Sequence, residues 1–96
     1  MENVTINPEK NRFELNVEGH TAIIDYILNN QGIMFLTHTE VPQQLEGKGV
    51  GSKLVKETLE YIREKQYKLA PICPFVSAYL KRHPEWQDLL SAGYRV

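Results

Sequence analysis

Cysteine is nearly missing from this 96-residue chain, with Cys73 standing alone. One thiol makes no intrachain disulfide and no cysteine metal cluster, and none is expected; the usage suits a reducing, cytoplasmic setting. An excess of either charge is also missing. Eleven basic against twelve acidic side chains leave a net charge of −1, which excludes an electrostatic footprint for nucleic acid or an anionic membrane. The basic residues Lys53, Lys56, Arg63 and Lys65 sit among Glu57, Glu60 and Glu64, the composition of a solvated helix face rather than a binding patch. Long apolar runs are lacking too. The longest, Ile33 to Leu36, falls far short of a membrane span, and the polar N-terminus "MENVTINPEK" has no signal-peptide core.

What is present is an alternating pattern, then a helical one. After a loose lead-in over residues 1–10, with a short strand near Val4–Ile6, apolar and polar residues alternate from Arg12 to Val17 and again from Thr21 to Leu28. A third strand covers Ile33 to Val41 after the turn Asn29-Asn30-Gln31-Gly32. Short turns between these strands predict an antiparallel meander of three to four strands. Val50, Leu54, Val55, Thr58, Leu59 and Ile62 follow helical spacing and predict a long helix from Gly49 to Gln66. Leu69 to Cys73 returns as a strand, and such a crossover is right-handed and parallel. Pro74 suits the first turn of another helix, broken at His83-Pro84, with Trp86 in the core. The chain reads as one α+β domain over residues 1–96.

The chemistry concentrates in "LEGKGVGS". Glycines at 47, 49 and 51 stand directly before the best helix. Consecutive amides without a Cβ at a helix start form an anion site, reinforced by the dipole; Gly47 and Gly51 are the positions expected to need glycine's conformations. The alternative is a tight turn that needs glycine for geometry alone. The spacing is not that of a P-loop, and Ser52 stands where a dinucleotide fingerprint needs glycine.

Gln44-Leu45-Glu46-Gly47-Lys48-Gly49 spells Q-x-x-G-x-G after a strand and before a helix. It resembles the acetyl-CoA signature of the GNAT N-acetyltransferase superfamily. "HTEVPQQLEGKGVGSKLV" followed by "PICPFVSAYLKRHPEW" is similar to its short single-domain branch, the YidJ-type N-acetyltransferases, over Arg12 to Leu90. The resemblance implies a minimal GNAT-like fold with one parallel, splayed strand and C-terminal helices. It implies acetyl-CoA binding by Thr39, Val41, Gln44, Glu46, Gly47, Lys48, Gly49, Val50, Gly51, Ser52, Pro74 and Phe75. A splay at Leu69–Cys73 also accommodates Pro71, whose missing N–H matters little where no partner is present.

Acetyl transfer needs a deprotonated amine, a polarised thioester and a proton for the departing thiolate. Cys73, preceding Pro74 at a helix start, is placed where thiol reactivity is raised and is a candidate to carry the acetyl group covalently; a buried small hydrophobe is the plain alternative. His38 and Glu40, two apart on a strand and expected to share a face with Met34 and Leu36, are candidate bases. Tyr79 is a candidate proton donor by the resemblance, although "AYLKRH" departs from the usual continuation. Lys81 and Arg82 read as a solvated helix end. Many GNAT enzymes add helices between the first two strands and further strands after the last helix; lacking both, this chain is expected to have an acceptor site that is open, completed by a partner, or unused. The function expected is transfer of acetyl to an unidentified small-molecule or protein amine, by a monomer or weak homodimer. The rival is a non-catalytic CoA-binding adaptor or sensor.

Overall fold

The computed structural model describes residues 2–96. Its elements are β1 (Thr5–Asn7), β2 (Arg12–Val17), β3 (His20–Leu28), β4 (Ile33–Glu40), α1 (Val50–Glu64), β5 (Lys68–Pro71) and α2 (Pro74–Arg82), with 3-10 turns at Gln43–Leu45 and Pro84–Leu89. The strands form one sheet in chain order. β1 to β4 are antiparallel, and β5 lies parallel to β4 after the α1 crossover. This is the expected α+β meander with one parallel strand.

Local chemistry explains the boundaries. Glu18 and Gly19 both have positive φ, 53° and 81°, the two-residue turn that suits a twisted hairpin. His20 therefore belongs to β3 rather than to the turn. At Asn29 the side-chain oxygen accepts the N–H groups of Gln31 and Ile33 at 3.0 and 2.9 Å, which closes the next turn. α1 stops before the expected Gln66 because Gln66 takes a left-handed φ of 62°. The Tyr67 amide then reaches back to the Ile62 carbonyl at 3.0 Å, a helix stop usually made with glycine. The lead-in is less loose than expected: β1 pairs with β2, and the Val4 amide donates to Glu57 Oε1 of α1 at 2.9 Å.

One sheet face carries the core. Phe13, Leu15, Ala22 and Ile24 are buried beneath Leu54, Val55, Leu59 and Ile62 of α1. Fully burying each Leu or Ile contributes about 1.5–3 kcal/mol. Both helices lie on this side, and α2 packs against β4, β5 and α1.

Alternation fails at one point in β4. Tyr26 pairs with Leu36 but Asp25 pairs with His38, so Thr37 is an extra, unpaired residue. A one-residue bulge turns every later side chain to the other face. Met34 and Leu36 are fully buried, whereas His38 and Glu40 lie on the opposite face with side chains 57% and 66% exposed. The four residues do not share a face as their even spacing predicts. Thr39, paired with buried Ile24, points to the core side instead.

β5 leaves β4 at Pro71. Pro71 is level with Leu36 at the last rung, the Ile72 amide turns back to the Ala70 carbonyl at 3.0 Å, and the Cys73 amide reaches Leu36 O at 2.9 Å. β5 accordingly ends at Pro71, before the expected Cys73, while β4 runs on to Glu40 without it.

Candidate functional site

The loop between β4 and α1 is held at both ends by apolar anchors, Leu45 and Val50, each 1% exposed. Between them Gly47 and Gly49 take φ of 79° and 75°, left-handed values that cost an ordinary L-residue about 1–2 kcal/mol. Gly49 is the N-cap of α1, and no side chain caps that end. The Lys53 amide returns to the Gly49 carbonyl at 3.1 Å; the earlier amides of the turn are those a helix leaves without an internal partner. They border a cleft of about 210 Å³ walled by Val41, Leu45, the glycine loop, Ser52 and Phe75.

Gly51 serves a different purpose from the one expected. It lies within α1, and a Cβ there would stand 2.6 Å from Cζ of the Phe75 ring. The residue must be glycine because an aromatic side chain of α2 rests on it, not because its backbone is unusual. Phe75 stays 40% exposed and lines the cleft.

Past Ser52 a groove of about 350 Å³ continues between the two helices, lined by Lys53, Lys56, Glu57 and Glu60 of α1 and by Tyr79 and His83 of α2. Lys53 pairs with Glu57 at 2.6 Å. Burial works to raise the Glu57 carboxyl, but hydrogen bonds from Lys53 and the Val4 amide hold it below its usual value. Tyr79 is 4% exposed and stacks on His83 with ring centroids 4.2 Å apart. Burial, aided by Glu85 and Glu60, pushes its phenol above the usual value, so it keeps its proton.

Cys73 is the N-cap of α2 and is 5% exposed. Its thiol donates to Thr39 Oγ1 at 3.2 Å, across the gap where β5 parts from β4. Beyond Thr39 a third hollow of about 440 Å³ is lined by Thr21, Thr39, Glu40, Val41 and Pro42. His38 Nε2 stands 3.4 Å from Glu40 Oε1.

The model of the GCN5-related N-acetyltransferase family matches residues 12–89. The chain belongs to that family. The solution NMR structure of a GCN5-like protein from Staphylococcus aureus superposes with a TM-score of 0.71 at 30% identity, covering 99% of this chain and 95% of that one. Among curated proteins, mouse Protein NATD1 is 28% identical over 78 residues, 79% of this chain and 71% of the mouse protein. Human Protein NATD1 is 32% identical over 63 residues, 66% of this chain and 56% of the human protein.

Within this N-acetyltransferase domain the candidate residues fall into three groups. Val41, Glu46, Gly47, Gly49, Val50, Gly51, Ser52 and Phe75 meet at the loop cleft. Cys73 and Thr39 meet at the strand gap, with Pro74 starting α2 beside them. His38 and Glu40 meet on the outer face. Lys48 is drawn out of the cleft by Glu18, whose carboxylate oxygens take its ammonium at 2.8 and 2.9 Å. Gln44 sits exposed on the 3-10 turn, not on the cleft wall. Tyr79 lines the interhelical groove. Sequence reasoning missed Lys53, Lys56 and Glu60 as groove residues. Their spacing of three and four puts them on one face of α1, but only the packing of α2 shows that this face borders a groove.

Proposed function

We propose that this domain binds acetyl-CoA with the diphosphate on the amides of Gly49 to Ser52, and transfers the acetyl group to an amine. The observation that carries the reading is the uncapped start of α1, preceded by two left-handed glycines and opening into a cleft. Amides aimed outward with the positive end of a helix dipole suit a diphosphate. The residues present fit such a group: no acidic side chain stands in the first turn of α1, and the cleft runs on at Ser52 into the groove between the helices. Acetyl-CoA would supply the activated acetyl as a thioester.

The chain's own residues support the rest. Past Leu36, β4 has no β5 partner, which leaves its outer edge free to hold an extended amide-bearing chain. Cys73 and Thr39 stand at that opening, and their 3.2 Å thiol–hydroxyl contact beside it supports Cys73 as the nucleophile of this reading. Tyr79, protonated through burial, is a proton source on the helix that follows. His38 and Glu40 form a base pair on the outer side of β4.

The test is a calorimetric titration with acetyl-CoA, run beside Gly49→Asp. Asp tolerates a left-handed backbone better than most residues, and its carboxylate would repel a diphosphate. Micromolar binding of about −8 kcal/mol that the substitution abolishes is the expected result; binding that survives it would move the diphosphate elsewhere. Intact mass after incubation should show a +acetyl species in the parent and none in Cys73→Ala if the thiol carries the group. Acetyl transfer at full rate by Cys73→Ala would leave direct attack by the amine.

A further inference from the structure

The tripeptide Gly47-Lys48-Gly49 forms the bend that leads into α1, and it has one side chain with which to be held in place. Both glycines have left-handed backbones, and apart from their chain neighbours nothing stands within 4 Å of where a Cβ would sit on either. Packing therefore does not fix this stretch, and glycine has more conformational freedom to lose on ordering than any other residue. Lys48 supplies the fastening. Its ammonium donates to both carboxylate oxygens of Glu18, at 2.8 and 2.9 Å, across 30 residues of sequence.

Glu18 is a fixed post. It stands at the tip of the β2–β3 hairpin, whose register runs unbroken from Arg12–Asp25 to Val17–His20, with Leu15, Val17 and Ala22 buried beneath it. Its φ of 53° is one that asparagine, aspartate or glycine ordinarily fills in such turns, so turn chemistry alone does not select glutamate. What glutamate adds is a carboxylate on a longer stem, and that carboxylate reaches Lys48. The hydrogen bond from the ammonium, and then its charge, hold the Glu18 carboxyl below its usual value, so the pair stays ionised at neutral pH.

We infer that Glu18 is a positioning residue for the cofactor site: by gripping Lys48 it holds the loop amides ready for a diphosphate before the ligand arrives. The inference rests on the acetyl-CoA reading. A loop that is ordered only by its ligand takes the ordering cost out of the affinity, and a loop ordered beforehand does not. The grip also keeps Lys48 off the cleft wall, so the lysine acts through the shape of the loop. Because the two side chains are 42% and 63% exposed, the effect on affinity is modest, about two- to fivefold. Removing Glu18 alone would mix two effects, since it also takes a negative charge from near an anion site. Removing both partners leaves the net charge unchanged and isolates the tether.

The test compares the parent with Glu18→Gln/Lys48→Gln and with the exchanged pair Glu18→Lys/Lys48→Glu, all three of equal net charge. Each is measured by ¹⁵N relaxation of the free protein and by calorimetric titration with acetyl-CoA. In the parent, the amides of Gly47, Lys48 and Gly49 should have order parameters of about 0.85; in the double glutamine variant they should fall below about 0.6. The dissociation constant should rise about threefold in that variant, and the exchanged pair should restore both quantities. Loop amides equally ordered in the double glutamine variant, an unchanged dissociation constant, or an exchanged pair that does not restore them would each overturn the assignment. The two readings fail differently. A parent that binds no acetyl-CoA sinks the cofactor reading and the positioning role together, whereas a parent that binds no better than the double glutamine variant sinks the positioning role alone.

Discussion

At Gly49 a left-handed backbone coincides with open space where a Cβ would point; at Gly51 a helical backbone coincides with the Phe75 ring 2.6 Å from that point. Alanine at Gly51 would gain about 0.5–1 kcal/mol from helix preference and lose about 1–3 kcal/mol from overpacking. The expected net effect is a destabilisation of about 1–2 kcal/mol, read from urea unfolding midpoints. Made in a Phe75→Ala background, the same substitution should become neutral or stabilising. An equal cost in both backgrounds would mean that the ring is not what demands the glycine. The role of Gly51 could not be read locally, because its reason stands 24 residues away on α2. Gly47 was legible as a loop glycine since its reason is its own φ, whereas Gly49, read as the first residue of the helix, also takes a left-handed φ that the sequence reading did not assign to it.

At the scale of elements, the strands and α1 were legible because burial imposes periods of two and 3.6 on the apolar residues. The bulge at Thr37 was not, since an extra residue in a strand leaves no mark in composition; it alone decides which face His38 and Glu40 occupy. The Lys53–Glu57–Val4 link joins α1 to the N-terminal segment, and it yields a pH prediction. A carboxyl held below its free value of about 4.5 contributes stability above that pH and loses it as pH falls through the lowered value. Glu57→Gln should therefore cost about 0.5–1 kcal/mol at pH 7. Parent and variant should converge in urea unfolding as pH falls through that lowered value and the Glu57 carboxyl becomes neutral like the glutamine. A gap that persists undiminished in acid would assign the effect to packing rather than charge.

Taken as a molecule, the domain has two parts that meet along one seam. The β1–β4 meander and α1 form the larger; β5, α2 and the Pro84–Leu89 turn form the smaller. The seam is bridged first by the β4–β5 pairing from Ile33–Lys68 to Leu36–Pro71 and by the shared core, and beyond them by the Phe75 ring on Gly51, the Cys73–Thr39 hydrogen bond, and Arg63, which bonds Asp88 at 2.5 Å and lies 4.4 Å over Trp86. The candidate cleft and groove draw walls from both parts, so a ligand filling them adds contacts that exist only while both are in place. Acetyl-CoA at one hundred times its dissociation constant should then stabilise the whole fold by about 2.7 kcal/mol. For a domain of this size that raises the melting temperature by on the order of 10 °C. Trp86 is the single tryptophan and is 8% exposed, so its emission follows the smaller part, while far-ultraviolet circular dichroism follows sheet and helices together. Both signals should move upward together with acetyl-CoA and neither should move in Gly49→Asp. If Trp86 emission alone shifts, the ligand engages the smaller part without closing the seam, and the loop amides are not its anchor.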